Sequence, residues 1–417
     1  MRPVLSRVHS EATLATAELE GKRVLLGMTG GIACYKIAEL TRLMTKAGAS
    51  VQVAMTEAAT QFITPVTMQA LSGHPVFTSQ WDARIDNNMP HIDLSRAADA
   101  IVIAPASADF LAKLAHGRAD DLLSILCLAR ECPLLVVPAM NRQMWSNPAT
   151  QRNVAQLRAD GVIILGPDAG SQACGEVGEG RMIEPEAAYE AIVSFFRPKL
   201  LAGRRVLITA GPTFEPIDPV RGITNRSSGK MGFALARAAS QAGADVRLIA
   251  GPVALSTPWG VEREDVETAQ QMHDAVMHAV ADYDVFVAVA AVADWRVAQA
   301  SEHKIKKTET HSVPTLSFVE NPDILATVAH LPNPPFCVGF AAESGNLEAN
   351  GEQKRMRKNV PLLIGNLGPA TFGRDDNEVV LFDASGVTRL PRAGKDALAS
   401  VLIAEIARRL PDASLIS

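Results

Sequence analysis

Residues 170–182, GSQACGEVGEGRM, set Cys174 among glycines with hardly an apolar neighbour. A free cysteine ordinarily behaves as a small buried hydrophobe. On a glycine-rich segment it instead suits a flap that closes over a substrate and delivers a proton. His91, in MPHIDLSRAAD, stands just before an expected helix start. There the helix dipole disfavours an imidazolium and keeps the ring neutral, ready to accept a proton; a surface histidine is the competing reading. Asn141, in PAMNRQMW, follows a buried strand. It can cap orphan N–H groups or grip a carboxylate through its amide, and the sequence leaves both open.

Two further stretches could handle phosphate. GMTGGIACYK follows a strand and opens a helix, so its N–H groups can hold a phosphate, or its glycines can serve close packing alone. It is not GxGxxG, and the next strand ends in Thr56 rather than an acid, which disfavours a dinucleotide. In the second half, RSSGK resembles part of a phosphate loop without GxxxxGK[ST], which disfavours a Walker-type NTPase. Arg221 and Asn225, four apart, could hold an anionic acid. KIKK (Lys304 to Lys307) and QKRMRK (Gln353 to Lys358) read as solvated faces or as a triphosphate clamp that neutralises charge as pyrophosphate leaves. Nucleic-acid binding lacks the interleaved aromatics it needs. Asp294 could meet a nucleotide or its Mg2+, which is typically shared between one or two carboxylates and phosphates.

These groups need a scaffold, and the chain repeats one. KRVLLGMTGGIACYKIAELTRLMTKAGASVQVAMT and the segment from RRVLITAGPT to DVRLIAGP each read as strand, glycine-rich turn, amphipathic helix and strand, a βαβ unit. Val24 to Ala47 spans 23 positions and Val206 to Ala242 spans 36, so the second copy carries 13 extra residues in a loop between strand and helix. Loops at the carboxyl ends of parallel strands are where such folds bind ligands. DAIVIAPASAD and DVFVAVAAVAD form a second echo, each a buried strand running into a turn that ends in aspartate. The expected architecture is α/β: two doubly wound Rossmann-like domains, residues 21–196 and 203–417, behind a polar extension over 1–20.

Composition bounds the rest. The 417 residues are 47% hydrophobic with a net charge of -5, which suits a soluble α/β protein and argues against a general nucleic-acid or membrane-surface binder. No apolar run reaches the roughly 20 residues of a membrane span. The N-terminus lacks a signal peptide's apolar region. Five cysteines in a chain this long point to reduced thiols in a cytoplasmic setting. No CxxC or HxxxH spacing suggests structural zinc.

GGIACYK, HIDL, APASAD, PAMNRQMW and GSQACGEVGEGRM resemble the flavin-dependent cysteine decarboxylases. DPVRGITNRSSGKMG, AAVADW, KIKK, NPDIL, GFAAES and QKRMRKN resemble the ligase half of the bifunctional phosphopantothenoylcysteine decarboxylase/phosphopantothenate–cysteine ligase family of bacterial coenzyme A synthesis. The resemblance runs from about residue 21 onward. It implies an FMN-bound first domain in which the substrate's cysteine moiety is oxidised, CO2 leaves, and the ene-thiol is reduced again. Oxidation creates the electron sink that a simple carboxylate lacks. By motif, His91 would assist oxidation, Asn141 would bind the cysteine carboxylate, and Cys174 would protonate the ene-thiol. Gly30, Gly31, Ile32, Thr56 and Ser107 would contact FMN.

For the second domain the resemblance implies a CTP-dependent ligase that activates 4′-phosphopantothenate as an acyl-cytidylate before the cysteine amine attacks. Asn225 would stabilise that intermediate, Arg221 would assist the second step, and Lys304 would support activation. Ala290, Asp294, Pro322, Asp323, Ile324 and Leu325 would surround CTP, together with Phe340, Lys304, Lys354 and Lys358, with Asp294 meeting Mg2+. Where relatives often carry an asparagine–aspartate pair, this chain has Gly365-Asn366-Leu367, so no role is assigned to an acid there. The family forms homo-oligomers, trimers of the flavin domain and dimers of the ligase domain combining to a dodecamer. Competing readings are an enzyme with one active half, a flavin-binding regulatory module, and a two-domain NAD oxidoreductase.

Overall fold

The apolar runs become parallel strands whose carboxyl ends carry the polar motifs. In the computed structural model of the protein, residues 18–81, 90–172, 175–306, 315–343, 347–367 and 374–411 are described. Cys174, Lys307, the side chain of His91 and most of the N-terminal extension lie outside them. Two units are distinct, Ala17–Phe196 and Arg197 onward.

In the first unit, β1 (Arg23–Met28), β2 (Ser50–Met55), β3 (Ala100–Ala106), β4 (Leu134–Pro138) and β5 (Ile163–Ile164) form a parallel sheet in the order β2-β1-β3-β4-β5. That is one of the two common doubly wound orders, with its switch point between β1 and β3. Nine helices are described here: α1 (Cys34–Lys46), α2 (Glu57–Thr60), α3 (Pro65–Ser72), α4 (Pro90–Ala97), α5 (Ala108–Ala115), α6 (Leu122–Leu128), α7 (Arg142–Ser146), α8 (Pro148–Ala159) and α9 (Pro185–Phe196). Helix α1 buries Cys34, Ile37, Leu40, Thr41 and Met44, a stripe at helical spacing. Each fully buried aliphatic side chain of this kind contributes roughly 1.5–3 kcal/mol. Leu19, within the stretch read as extension, is already buried, and its N–H donates to Ala47 O at 2.9 Å.

The glycine-rich segment expected to be a mobile flap has a paired stem: β6 (Asp168–Ser171) runs antiparallel to β7 (Val177–Arg181). Gly180 needs its glycine, because its φ of +120° is a conformation that side chains avoid.

The second unit carries β8 (Arg205–Ala210), β9 (Phe214–Asp218), β10 (Arg221–Thr224), β11 (Asp245–Ala250), β12 (Val261–Asp265), β13 (Val285–Ala288), β14 (Trp295–Val297), β15 (Phe318–Glu320), β16 (Phe336–Glu343), β17 (Leu362–Leu367), β18 (Asp376–Asp383) and β19 (Gly386–Gly394). Its large sheet runs β12-β11-β8-β13-β16-β17-β18-β19. The first six are parallel and, numbered by their place in the chain, follow the dinucleotide-fold order 3-2-1-4-5-6. The last two add an antiparallel edge. Helices α10 (Lys230–Gln241) and α14 (Lys395–Arg409) pack in the core cluster on one face. On the other face α11 (Ala269–Ala279) and α12 (Ile324–Ala329) do so, with α13 (Leu347–Lys358) beside β17. The 13-residue insertion, read as a loop, is instead largely the β9–β10 hairpin. No described helix is long and apolar enough to cross a membrane.

Candidate active sites

In the first unit the nominated groups stand where parallel strands end. Gly30 and Gly31 follow β1, Thr56 follows β2, Ser107 follows β3 and Asn141 follows β4. Three are helix N-caps. Thr56 Oγ1 accepts from Ala59 N at 3.3 Å, Ser107 Oγ from Phe110 N at 3.2 Å, and Asn141 Oδ1 from Met144 N at 2.9 Å. An N–H can only be accepted by the amide oxygen of Asn141, so the cap turns its NH2 donors away from the helix. Asn141 can therefore serve as both cap and carboxylate ligand. By the same logic the Thr56 and Ser107 hydroxyls keep a proton to donate.

A Cβ on Gly30 would stand 2.5 Å from Ala58 Cβ, whereas one on Gly31 would meet nothing within 4 Å. The β1–α1 turn thus packs closely on one side and is open on the other, and Ile32 and Tyr35 beside it are exposed. An open backbone turn with two donor hydroxyls nearby fits a singly phosphorylated flavin. His91 lies in the first turn of α4.

The β6–β7 hairpin is tied to the segment that holds Asn141. Met140 N donates to Gly180 O at 2.9 Å, Arg142 N to Gln172 Oε1 at 3.0 Å, and Trp145 Nε1 to Glu179 Oε2 at 3.2 Å. Lys36 is buried and donates to Met182 O at 2.9 Å, fixing the hairpin's exit. Beyond the stem, Gly175 N donates to Gln172 O at 2.9 Å. Burial pushes the thiols of Cys34 up to about 11 and of Cys127 and Cys337 to about 12, and raises Cys132 as well.

A Cβ at Gly180 would lie 2.7 Å from Met140 O and 3.1 Å from Asn141 O. Gly180→Ala is therefore expected to cost the first domain about 1–3 kcal/mol in denaturant unfolding and to reduce decarboxylation while ligation continues.

In the second unit a cavity of about 610 Å³ opens at the sheet's switch point, within the usual range for small-molecule sites. Strand β13 ends at Ala288, earlier than its sequence echo suggests, and the next residues, including Ala290 and Asp294, become cavity wall. Pro322, Asp323, Ile324 and Leu325 enter α12 along another wall, and Phe340 of β16 with Lys354 and Lys358 of α13 complete it. Asp323 caps α12 through Ala326 N at 3.1 Å and pairs with Lys358. Burial opposes ionisation of Asp323, but Lys358 and the capped amide hold its carboxyl below the ordinary range.

The RSSGK stretch also lines this cavity. Gly229 caps α10 at φ +74° and offers its first-turn N–H groups no side-chain acceptor. Lys230, Asn366, Asn377 and Lys395 are walls that sequence reasoning did not nominate. Only Lys230 had a local signal, in its phosphate-loop-like context. Asn377 and Lys395 arrive from β18 and α14, far along the chain. No group of three or more metal-ligating side chains occurs among the described residues. Asp294 is a single carboxylate on the cavity wall, the kind of group that can share a cation with phosphates.

Asn225, Arg221 and Lys304 are not among the cavity walls. Asn225 reaches them, however, since its Nδ2 donates to Ala291 O at 2.9 Å. Arg221 is committed elsewhere, to Asp218 through Nε at 3.0 Å and Nη2 at 2.5 Å and to Ile305 O through Nη2 at 2.8 Å. Lys304 is exposed, next to Ile305. Arg221 holds the Asp218 carboxyl well below the usual carboxylate range, against the cost of desolvation. A depressed folded-state pKa contributes stability that is complete above the unfolded value of about 3.9 and is lost as pH falls through the folded one. The stability gap between the parent and Asp218→Asn should accordingly stay constant from about pH 8 to pH 5 and narrow only below about pH 4. Urea midpoints across that range measure it.

The Flavoprotein family model matches residues 13–197, and the model for the DNA/pantothenate metabolism flavoprotein C-terminal domain matches residues 201–410. Over 389 residues the chain is 51% identical to the coenzyme A biosynthesis bifunctional protein CoaBC of Vibrio cholerae, covering 92% of this chain and 98% of that protein. It is 48% identical over 397 residues to the Escherichia coli K12 protein of the same name, covering 94% and 98%. For the Bacillus subtilis protein the identity is 41% over 397 residues, covering 93% and 97%. With both family models matched and nearly the whole length shared, the chain belongs to the family of bifunctional coenzyme A biosynthesis proteins, which unite a phosphopantothenate–cysteine ligase and a phosphopantothenoylcysteine decarboxylase in one polypeptide.

Proposed function

We propose that the second domain joins 4′-phosphopantothenate to cysteine at the expense of CTP, and that the first, holding FMN, decarboxylates the product to 4′-phosphopantetheine. The observation that carries the ligase reading is the cavity at the switch point, whose walls include Ala290, Asp294, Asp323, Phe340, Lys354 and Lys358. In the first step a carboxylate oxygen of 4′-phosphopantothenate attacks the α-phosphorus of CTP and pyrophosphate leaves. Lys354, Lys358 and Lys304 offset the charge on that leaving group, and Asp294 would help to hold a Mg2+ that neutralises the triphosphate. Asn225 donates to the acyl-cytidylate. The cysteine amine then attacks the acyl carbon, CMP departs, and Arg221 assists.

In the first domain Gly30, Gly31 and Ile32 would hold the FMN phosphate through backbone N–H groups, with Thr56 and Ser107 donating from their hydroxyls. Bound flavin supplies a reversible hydride acceptor, which makes loss of CO2 possible. Asn141 donates its NH2 to the cysteine carboxylate and fixes the substrate's orientation. His91 takes a proton as the substrate is oxidised, and Cys174 gives one to the ene-thiol carbon. The domains are residues 21–196 and 203–417, working in a cytoplasmic setting that suits the unpaired thiols. Exposed Ile32, Tyr35, Phe62, Val66 and Trp81 support a homo-oligomer, in our reading the dodecamer of flavin-domain trimers and ligase-domain dimers.

Mass spectrometry of one reaction tests both halves: protein, 4′-phosphopantothenate, cysteine, CTP and Mg2+, sampled over time. Phosphopantothenoylcysteine should appear and give way to 4′-phosphopantetheine, with CMP and pyrophosphate formed. Accumulation of the first product alone would refute the decarboxylase assignment, and no product with CTP would refute the ligase assignment.

A further inference from the structure

The β9–β10 hairpin carries two carboxylates that have left solvent. Glu215 is 1% exposed and accepts Ala269 N at 2.9 Å, which ties the hairpin to the start of α11. Asp218, 2% exposed, does something different. Its Oδ1 accepts Val220 N and Arg221 N, each at 2.9 Å. Its Oδ2 accepts Ile305 N at 3.1 Å together with the Nε and Nη2 of Arg221. Arg221 Nη2 then donates to Ile305 O, so both polar groups of the Ile305 backbone are held by one Asp–Arg pair. Just upstream, Ser301 N donates to Ile217 O at 2.9 Å. Lys304 sits on the short exposed stretch between these two anchors.

We propose that Asp218 is a positioning residue of the ligase, clasping Arg221 and the Lys304 segment into one unit and thereby setting where the Lys304 ammonium stands. This rests on the reading that Lys304 supports carboxylate activation. Arg221 has its guanidinium engaged in the clasp, so its contribution to the ligase runs at least in part through the same unit. The chemistry of the clasp is specific to a carboxylate. Five N–H donors converge on two oxygens, and a side-chain amide has only one oxygen. Asparagine in either orientation would therefore turn its NH2 toward donors, leaving either the Arg221 fork and Ile305 N or the two turn amides unsatisfied. Charge-assisted bonds of this kind are about twice as strong as neutral ones, and an ångström of misplacement in a charged group can cost on the order of 100-fold in rate.

The test uses the full-length enzyme with 4′-phosphopantothenate, CTP and Mg2+ but no cysteine, reading pyrophosphate release in a single turnover. Asp218→Asn is expected to slow release about 10- to 100-fold while the CTP dissociation constant from calorimetry stays within about threefold. Lys304→Ala should also be slow, and adding Asp218→Asn to it should cost no more than about twofold further, because both act through one ammonium. Glu215→Ala removes the acceptor of Ala269 N, and so loosens the same hairpin without touching Ile305; it should leave the rate near the parent's. If Asp218→Asn does not fold, judged by circular dichroism, Asp218→Glu enters the same comparison, since its longer side chain displaces the clasp but retains its charge. Fully additive losses, or an equal loss from Glu215→Ala, would overturn the proposal in favour of general loosening. A slow Lys304→Ala beside a fast Asp218→Asn would overturn it alone. A Lys304→Ala enzyme as fast as the parent would overturn the activation role of Lys304 and the clasp with it.

Discussion

Replacing Cys174 by serine is expected to leave ligation at the parental rate and to lower 4′-phosphopantetheine formation by roughly 100- to 10,000-fold, the range for loss of a positioned general acid. The substitution changes one atom of similar size, and the paired stem, Asp168–Ser171 with Val177–Arg181, does not include it, so the stem should survive. What changes is acidity: a thiol releases its proton far more readily than a serine hydroxyl. Cys34, Cys127 and Cys337, by contrast, are buried away from solvent, which pushes their thiols up to about 11 or 12. The measurement supplies phosphopantothenoylcysteine directly and follows CO2 and thiol products by mass spectrometry. Release of CO2 with a dehydrogenated thiol product would place Cys174 at the final protonation. Unimpaired formation of 4′-phosphopantetheine would remove it from the mechanism.

The second large effect is expected at Asn225. Asn225→Ala should lower ligase turnover by about 100- to 1,000-fold, the usual cost of deleting one donor to a developing negative charge, with decarboxylation unchanged. Its structural cost is small. The variant loses the bond to Ala291 O, but that carbonyl still accepts Thr213 N at 3.3 Å, so the stability change should be about 1 kcal/mol. Asn225→Asp provides the check. It preserves shape but cannot donate to Ala291 O, and it sets a negative charge beside an anionic intermediate, so it should be at least as slow as alanine. Steady-state CMP release with saturating substrates distinguishes these outcomes. A variant that unfolds but retains its specific activity per folded molecule would reduce Asn225 to a structural residue.

The residues that sequence reasoning found are those whose neighbours along the chain report their job. Gly30 to Ile32 lie where a strand turns into a helix, and NPDIL and AAVAD follow buried strands; such local patterns depend on the few residues around them. The 13-residue insertion is a counterexample. Its prolines suggested a loop, yet Phe214–Asp218 pairs with Arg221–Thr224, because Glu215 and Asp218 find donors on α11 and at Ile305 that lie 54 and 87 residues away. The flanks of the glycine-rich segment likewise pair as Asp168–Ser171 with Val177–Arg181, which its composition did not announce, and Met140, Arg142 and Trp145 supply hydrogen-bond partners from a different strand end.

The sequence by itself determined the two α/β units, the repeated βαβ plan and the strand ends that carry polar motifs, because apolar periodicity and glycine-bounded turns are properties of neighbouring residues. Only the tertiary structure decided that Asn141 caps a helix with its oxygen and so keeps its NH2 donors available, that Lys395 and Asn377 join the cavity wall, and that Arg221 grips Asp218 instead of facing the cavity. Each of these depends on which donors and acceptors are brought together when distant strands pair. Buried polar groups must find partners wherever packing places them, and that placement is set by the whole sheet rather than by any one stretch of chain.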